Sequence, residues 1–268
     1  WFDWCWPLDT GVPPHERQFI HAVPYNDLPA LRAMLERHAG QVAGVIVEAV
    51  QDQGPDRDYF PGVRRLCDEH GAVFILDEVK TGFRFDLGGA QKLLGIDADL
   101  STFGKAMCNG YPGSALVGKR RYLEARTDTY TGATFHADLL SLTAALTTLR
   151  VMEERDGIGH FRRLGQRLME GLNQVFAEAH LPLEVVGFAP MPQLREMTEQ
   201  QAQQADRQPA GWAGRVLSHW CGAMQRRGIY VTGHCWYLSL AHTPADIEHT
   251  IATGHAAASE CLRLLRAV

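Results

Sequence analysis

Ala72-Val73-Phe74-Ile75-Leu76-Asp77-Glu78 is a run of five apolar residues closed by two carboxylates. A run this short, apolar on both faces and rich in β-branched and aromatic residues, fits a strand buried on both sides in a parallel sheet. Asp77 then falls at the carboxyl end of the strand, the edge of an open α/β sheet where ligands bind. Just upstream, Tyr59 to His70 has helical periodicity and Gly71 stands where a helix-terminating glycine belongs. Earlier still, Leu28, Leu31 and Leu35 share one face of a helical pattern over Leu28 to Ala39, and Val42 to Val50 is a second buried-strand run. Downstream, a third unit runs from Gly88 through Gly95 to Leu100, and a short strand, Ala115 to Gly118, follows a Gly and Pro turn. Strands alternating with helices predict an α/β fold with a mostly parallel sheet.

Beyond Thr134 the pattern changes. Two long helical stretches, Ala137 to Glu154 and Phe161 to Ala179, precede a strand at Leu183 to Phe188. The Gln-rich segment Gln193 to Gln208 lacks periodicity and reads as an exposed loop. A helix near Trp212 to Arg227, a strand near Trp236 to Leu240 and a closing helix from Pro244 complete the chain. The expected division is a large domain over residues 1–160 and a connecting helix with a small α+β domain over residues 161–268. No internal repeat is visible.

Composition narrows the function classes. The 268 residues are 46% hydrophobic and 21% charged, with 26 basic and 31 acidic side chains and a net charge of −5. That is ordinary globular composition, long enough for one or two domains and for a sizeable core. No run approaches the ~18 apolar residues of a membrane span, and no charged segment leads into an apolar one as in a signal peptide. A cytoplasmic protein without membrane contact is expected. Without a basic cluster, a nucleic-acid partner is not expected either. Cys5, Cys67, Cys108, Cys221, Cys235 and Cys261 are widely spaced with no C-x-x-C pair, which suggests free or buried thiols in a reducing compartment. The twelve histidines show no metal-ligand spacing, so no metal is expected.

Two residues stand out as chemistry. Asp77 is well placed at a sheet edge, although an Asp there can equally cap the following turn. Lys105 lies among small and apolar residues in Phe103-Gly104-Lys105-Ala106-Met107-Cys108. Partly dry surroundings disfavour an ammonium and release an amine toward carbonyl compounds, although a loop lysine can also simply reach into solvent. Gly113-Ser114-Ala115-Leu116-Val117-Gly118-Lys119-Arg120 falls one residue short of a phosphate-binding P-loop, because Arg120 stands where Ser or Thr must hold Mg²⁺. Its Ala-Leu-Val reads as a strand instead. No G-x-G-x-x-G opens a helix after any strand, so a dinucleotide fingerprint is missing. An amine and an acid together are what pyridoxal 5'-phosphate (PLP) requires: the amine holds the cofactor as an imine, and the acid keeps its ring nitrogen protonated. Phosphate donors could come from the hydroxyl-rich Thr127-Asp128-Thr129-Tyr130-Thr131-Gly132-Ala133-Thr134, which opens a helix, or that segment could be a capped loop only.

Ile75-Leu76-Asp77-Glu78-Val79-Lys80-Thr81-Gly82-Phe83-Arg84 resembles the D-E-V-x-T-G-F-R signature of the class III, fold-type I PLP-dependent aminotransferases, in the branch that contains glutamate-1-semialdehyde aminomutase. Asp99-Leu100, Gly104-Lys105, Gly110, Pro112, Ala115 and Gly118 follow in the family's order. Tyr25-Asn26-Asp27, Val45-Ile46-Val47-Glu48, Ala133-Thr134 and Leu238-Ser239-Leu240-Ala241-His242-Thr243 extend the resemblance along nearly the whole chain. It implies that Lys105 is the cofactor-bound lysine and proton shuttle, and that Asp77 partners the pyridine nitrogen. It further implies that Val79 packs on the ring face and that Thr134 is a phosphate ligand for the neighbouring subunit of a homodimer. Glu48 matches a family glutamate close to the active site.

Departures from the pattern bear on substrate identity. Ala49 follows the glutamate where proline is usual, Lys80 stands where Gln or an apolar residue is more common, and Phe135-His136-Ala137-Asp138 replaces a Ser-Gly-Asn-Pro-like stretch. Members of the family also carry a further portion upstream, with a phosphate loop and a Tyr-His-Gly, and Trp1 reads as the residue just after that tripeptide. The expected activity is transfer of an amino group from a small-molecule amino donor to a keto or aldehyde acceptor by a ping-pong mechanism. An intramolecular aminomutase and a non-catalytic remnant or scaffold subunit are the alternatives.

Overall fold

A computed structural model of the chain describes residues 13–51, 54–128, 132, 134–197, 212–231 and 235–266. It forms two compact units, divided between Val151 and Met152. In the first unit, strands β1 (Gly44–Glu48), β2 (Val73–Asp77) and β3 (Leu100–Phe103) run parallel, and β4 (Ala115–Gly118) is antiparallel to β3. The sheet order is β1-β2-β3-β4. Among the described residues they are accompanied by α1 (Pro14–Arg17), α2 (Leu28–Arg37), α3 (Tyr59–His70), α4 (Gly89–Leu94) and α5 (Arg120–Leu123), and α6 (Leu139–Glu154) runs across the division. The expected α/β architecture with a mainly parallel sheet is therefore present, and the near P-loop run is indeed a strand.

Local chemistry explains the boundaries. Asp27 caps α2 by accepting from the Ala30 N–H at 2.8 Å. Gly71 and Gly95 terminate α3 and α4 in the left-handed conformation that glycine adopts without steric cost. One face of β2, Phe74 and Leu76, is fully buried, with Phe74 stacked 6.2 Å from Phe60 of α3. Ser101 on the same face of β3 donates to Gln91 of α4 at 3.1 Å, and Phe103 packs with Met107, Cys108 and Ala145 of α6. The opposite face differs from the expected two-sided burial. Among the described residues it is open at Ile46, 64% exposed, and Leu116, 54% exposed, whereas the contacts of α3, α4 and α6 fall on the Phe74 face.

Asp99 pins β3 in place. Fully buried just before that strand, it accepts from the Phe74 N–H at 2.9 Å and meets Arg64 of α3 at 2.8 Å and Lys119 at 3.1 Å. Desolvation alone would raise its carboxyl pKa, but the Phe74 N–H, Arg64 and Lys119 outweigh it and lower the value to about 2.

The second unit contains α7 (Gly157–Glu178), the antiparallel hairpin β5 (Leu183–Phe188) and β6 (Met191–Glu196), α8 (Trp212–Gln225) and α9 (Pro244–Arg266). Asn173 of α7 brackets Val185, donating to its carbonyl at 2.8 Å and accepting from its N–H at 2.7 Å. Phe176 meets Trp220 edge to face at 5.1 Å in the core. Two expectations fail here. Residues Gln193 to Glu196 belong to strand β6 rather than to a loop, because Leu194 is buried while Arg195 pairs across the hairpin with Glu184 at 2.8 Å. The rest of the Gln-rich segment up to Gln208 lies outside the described residues apart from Met197. Trp236 to Leu240 is not a strand. Only Cys235 bridges to Gln193, and Ser239 turns back instead, its hydroxyl and N–H each 3.1 Å from His242 Nδ1.

Candidate active site

The site is built at the carboxyl edge of the sheet by register. Glu48, Asp77 and Thr102 are direct neighbours on β1, β2 and β3, so their side chains share one face. Asp77 is half-buried, and its Oδ1 accepts from the Val79 N–H at 2.8 Å and from the Thr102 hydroxyl at 3.4 Å. Of the two roles considered for Asp77, the turn bond is seen: the carboxylate closes the turn after β2 and is oriented by it.

The residues after Asp77 explain why this motif is a motif. Glu78 points away from the site and is fully buried. It accepts from the first N–H groups of α4, Ala90 at 2.9 Å and Gln91 at 2.7 Å, and from the Thr81 hydroxyl. Burial pushes its carboxyl up, opposed by these three donors. Gly89, at φ +80°, passes so close to the Glu78 carboxylate that a Cβ there would collide with it. Gly82 is equally constrained, since a Cβ would sit 2.5 Å from the Phe103 ring and 2.8 Å from the Glu78 carbonyl. The Arg84 guanidinium closes the turn on the Lys80 carbonyl. The segment from Asp77 to Arg84 is a self-supporting turn whose product is the placement of Asp77.

Lys105 follows two residues after β3 ends. Gly104 is extended, and Lys105 opens a short 3-10 turn, Lys105–Cys108, with φ +46°. A left-handed non-glycine residue costs on the order of 1–3 kcal/mol, and such strain collects at functional sites. Met107 and Cys108 are buried and anchor the turn. A Cβ on Gly104 would lie 3.6 Å from Val79 Cγ1, so Val79 borders the backbone that presents Lys105. The structure therefore gathers Asp77, Val79 and Lys105 at one edge. The dry surroundings suggested for Lys105 are not found, since its side chain is exposed among the described residues.

Thr134 is described as an exposed residue in the turn before α6. The helix begins at Leu139, and its cap is Asp138, which accepts from the Ser141 N–H at 2.8 Å and from the Ser141 hydroxyl at 2.6 Å. Capping is thus not a task of Thr134. Thr129, Tyr130, Thr131 and Ala133 of the same hydroxyl-rich segment lie outside the described residues.

Sequence reading missed Thr102 and the pairing of Lys80 with Glu48. Thr102, which orients Asp77, is hidden because strand pairing brings residues 25 apart together. Lys80 meets Glu48, with Nζ 3.3 Å from Oε1 and side chains only 13% and 7% exposed. Tyr25 donates to the Ala49 carbonyl at 3.2 Å beside this pair, and burial, Tyr59 and Glu48 raise its pKa above the ordinary phenol value. Among the described residues, no group of His, Cys, Asp and Glu is arranged to hold a metal ion, and no helix is long and apolar enough to cross a membrane.

Comparison with known proteins shows what the chain is similar to. A family model described as aminotransferase class-III matches residues 13–238. The chain is 30% identical to 3-aminobutyryl-CoA aminotransferase of Cloacimonas acidaminovorans, over 99% of this chain and 64% of that protein. It is 34% identical to glutamate-1-semialdehyde 2,1-aminomutase of Acetivibrio thermocellus, over 91% of this chain and 58% of that protein. In structure it resembles the FumI protein of Sphingopyxis sp. MTA144 in its PLP internal aldimine form, with a TM-score of 0.87, 28% identity and coverage of 96% of this chain and 61% of that one. The chain thus spans about three-fifths of the length of the relatives it matches.

Proposed function

Because the chain belongs to the class-III aminotransferase family, we propose that the protein it forms part of is a PLP-dependent aminotransferase, moving an amino group between an amino donor and a keto or aldehyde acceptor. The observation that carries this reading is the pairing of Asp77, an oriented carboxylate, with Lys105, a strained lysine, at the ends of adjacent parallel strands. PLP, when bound, supplies a reactive aldehyde and a ring that withdraws electrons from the substrate. The donor set fits that group: one acid at the sheet edge for a basic ring nitrogen, one amine within the same edge for an aldehyde.

Asp77 keeps the ring nitrogen protonated. Its Oδ1 accepts from Val79 and Thr102, and the oriented carboxylate is the group that would hold a protonated ring nitrogen. Val79 packs against the ring face. Lys105 would supply the amine that holds the cofactor. Its free amine would be the base positioned to take the proton from the substrate Cα. A second, keto substrate then runs the sequence in reverse. We further propose a cytoplasmic homodimer in which the Thr134 hydroxyl reaches the phosphate bound in the neighbouring subunit.

The experiment is a half-reaction. The natural full-length protein, loaded with PLP, is given an amino donor without acceptor, and one equivalent of keto product per site is expected. No product from any donor amine tried would count against the reading. Identity to aminomutases supports a second reading, in which one substrate stays bound throughout. Isomerisation of an amino aldehyde with no separate donor would favour it.

A further inference from the structure

Lys80 is three residues beyond Asp77 and is fixed at its backbone by the Arg84 guanidinium. Its ammonium lies within the same edge as Asp77 yet points to Glu48, the register partner of Asp77 on β1. Register partners in a sheet are only about 4.8 Å apart, so the ammonium has a choice of two carboxylates. Beside Glu48 it leaves a neutral pair and one net negative charge on Asp77. Beside Asp77 it would neutralise the carboxylate that a protonated ring nitrogen requires.

We propose that Glu48 is a positioning residue that holds the Lys80 ammonium away from Asp77, so that Asp77 keeps its charge for the ring nitrogen. The inference rests on the reading of Asp77 given above. The geometry supports it in two ways. Both side chains are nearly buried, so the pair is weakly screened and each charge needs its partner. The other groups around Glu48 do not compete for the role in the neutral range: burial keeps Tyr25 and Tyr59 protonated, the latter pushed up to about 12. Asp56 also acts electrostatically on Tyr25, and the Arg84 guanidinium donates to the Lys80 carbonyl.

The test uses the natural full-length protein and two readouts. In the first, PLP is titrated by absorption between pH 6 and 9. Glu48→Gln is expected to bind PLP at least about tenfold more weakly, because a cation beside a carboxylate alters its hold on a second cation by that much or more. Glu48→Gln/Lys80→Met is expected to return to within about threefold of the parent, and Lys80→Arg to stay there. Equal affinity of Glu48→Gln and parent would overturn the proposal, as would a double variant no tighter than Glu48→Gln.

The second readout needs no cofactor. Double-mutant cycles on urea unfolding should give a Lys80–Asp77 coupling near one in the parent background and at least about fivefold in the Glu48→Gln background. Coupling unchanged by Glu48→Gln would also refute the role. A parent protein that binds no PLP would instead break the functional reading itself, while the coupling measurement would still decide where the Lys80 charge goes.

Discussion

Replacing Asp99 with Asn tests how the sheet holds the strand that leads to Lys105. The side chain is fully buried, and Asn keeps its size and one oxygen for the Phe74 N–H. What disappears is the charge that Arg64 and Lys119 face at 2.8 and 3.1 Å. Breaking a buried pair by removing one partner commonly costs about 3–5 kcal/mol. Arg64 retains Asp68 at 2.6 Å and Lys119 retains Asp97 at 3.2 Å, which argues for the lower end, about 3 kcal/mol. For a chain of this size that is a fall in Tm of roughly 6–12 °C.

The pH dependence has a definite sign. The folded pKa of Asp99 is lowered from 3.8 to about 2, so its contribution is complete above the unfolded value and is lost as pH falls through the folded one. The gap between parent and Asp99→Asn, followed by urea unfolding, should be constant from pH 7 to about 5 and shrink between pH 4 and 2. A gap below about 0.5 kcal/mol at pH 7, or one that persists unchanged at pH 2, would refute the assignment of Asp99 as the anchor of β3.

Asp77→Asn should retain PLP but slow turnover by about 10²–10³, since roughly 2–4 kcal/mol of ring-charge stabilisation is removed; steady-state rates within twofold of the parent would leave Asp77 as a turn residue only. Thr134→Ala should weaken PLP binding without lowering Tm in the absence of cofactor, and added PLP should shift the parent toward dimer in sedimentation. Asp138→Ala should do the reverse, costing about 1 kcal/mol of stability through loss of the α6 cap, as read by urea unfolding, with PLP affinity unchanged.

Much of the first unit was legible because its signals are local. The helix over Tyr59 to His70 and its Gly71 terminus follow from periodicity and the left-handed glycine rule, and β4 from a short apolar run after a Gly and Pro turn. Asp77 and Lys105 stood out because a carboxylate and an amine beside apolar runs are conspicuous in any sequence. Strand β6 was concealed: Leu194 is the only apolar residue between Pro192 and Met197, and its burial depends on pairing with Val185. The Trp236 to Leu240 segment erred in the opposite direction, since a strand-like composition lost to the local bonds between Ser239 and His242. The Lys80–Glu48 pair and the Thr102–Asp77 bond could not be read from spacing, because only the register of β1, β2 and β3 brings them together. Two-sided burial of the sheet, expected from its apolar composition, is not found: among the described residues the Phe74 face is the covered one, while Ile46 and Leu116 are exposed.

The central claim is that Lys105 and Asp77 together form a PLP site, and covalent mapping tests it most directly. The natural full-length protein is loaded with PLP, reduced with borohydride, digested and analysed by mass spectrometry. The account predicts a single pyridoxyl label, on the peptide that contains Lys105. Label on Lys80 or Lys119 in its place, or no label on a protein that has bound PLP, would contradict it.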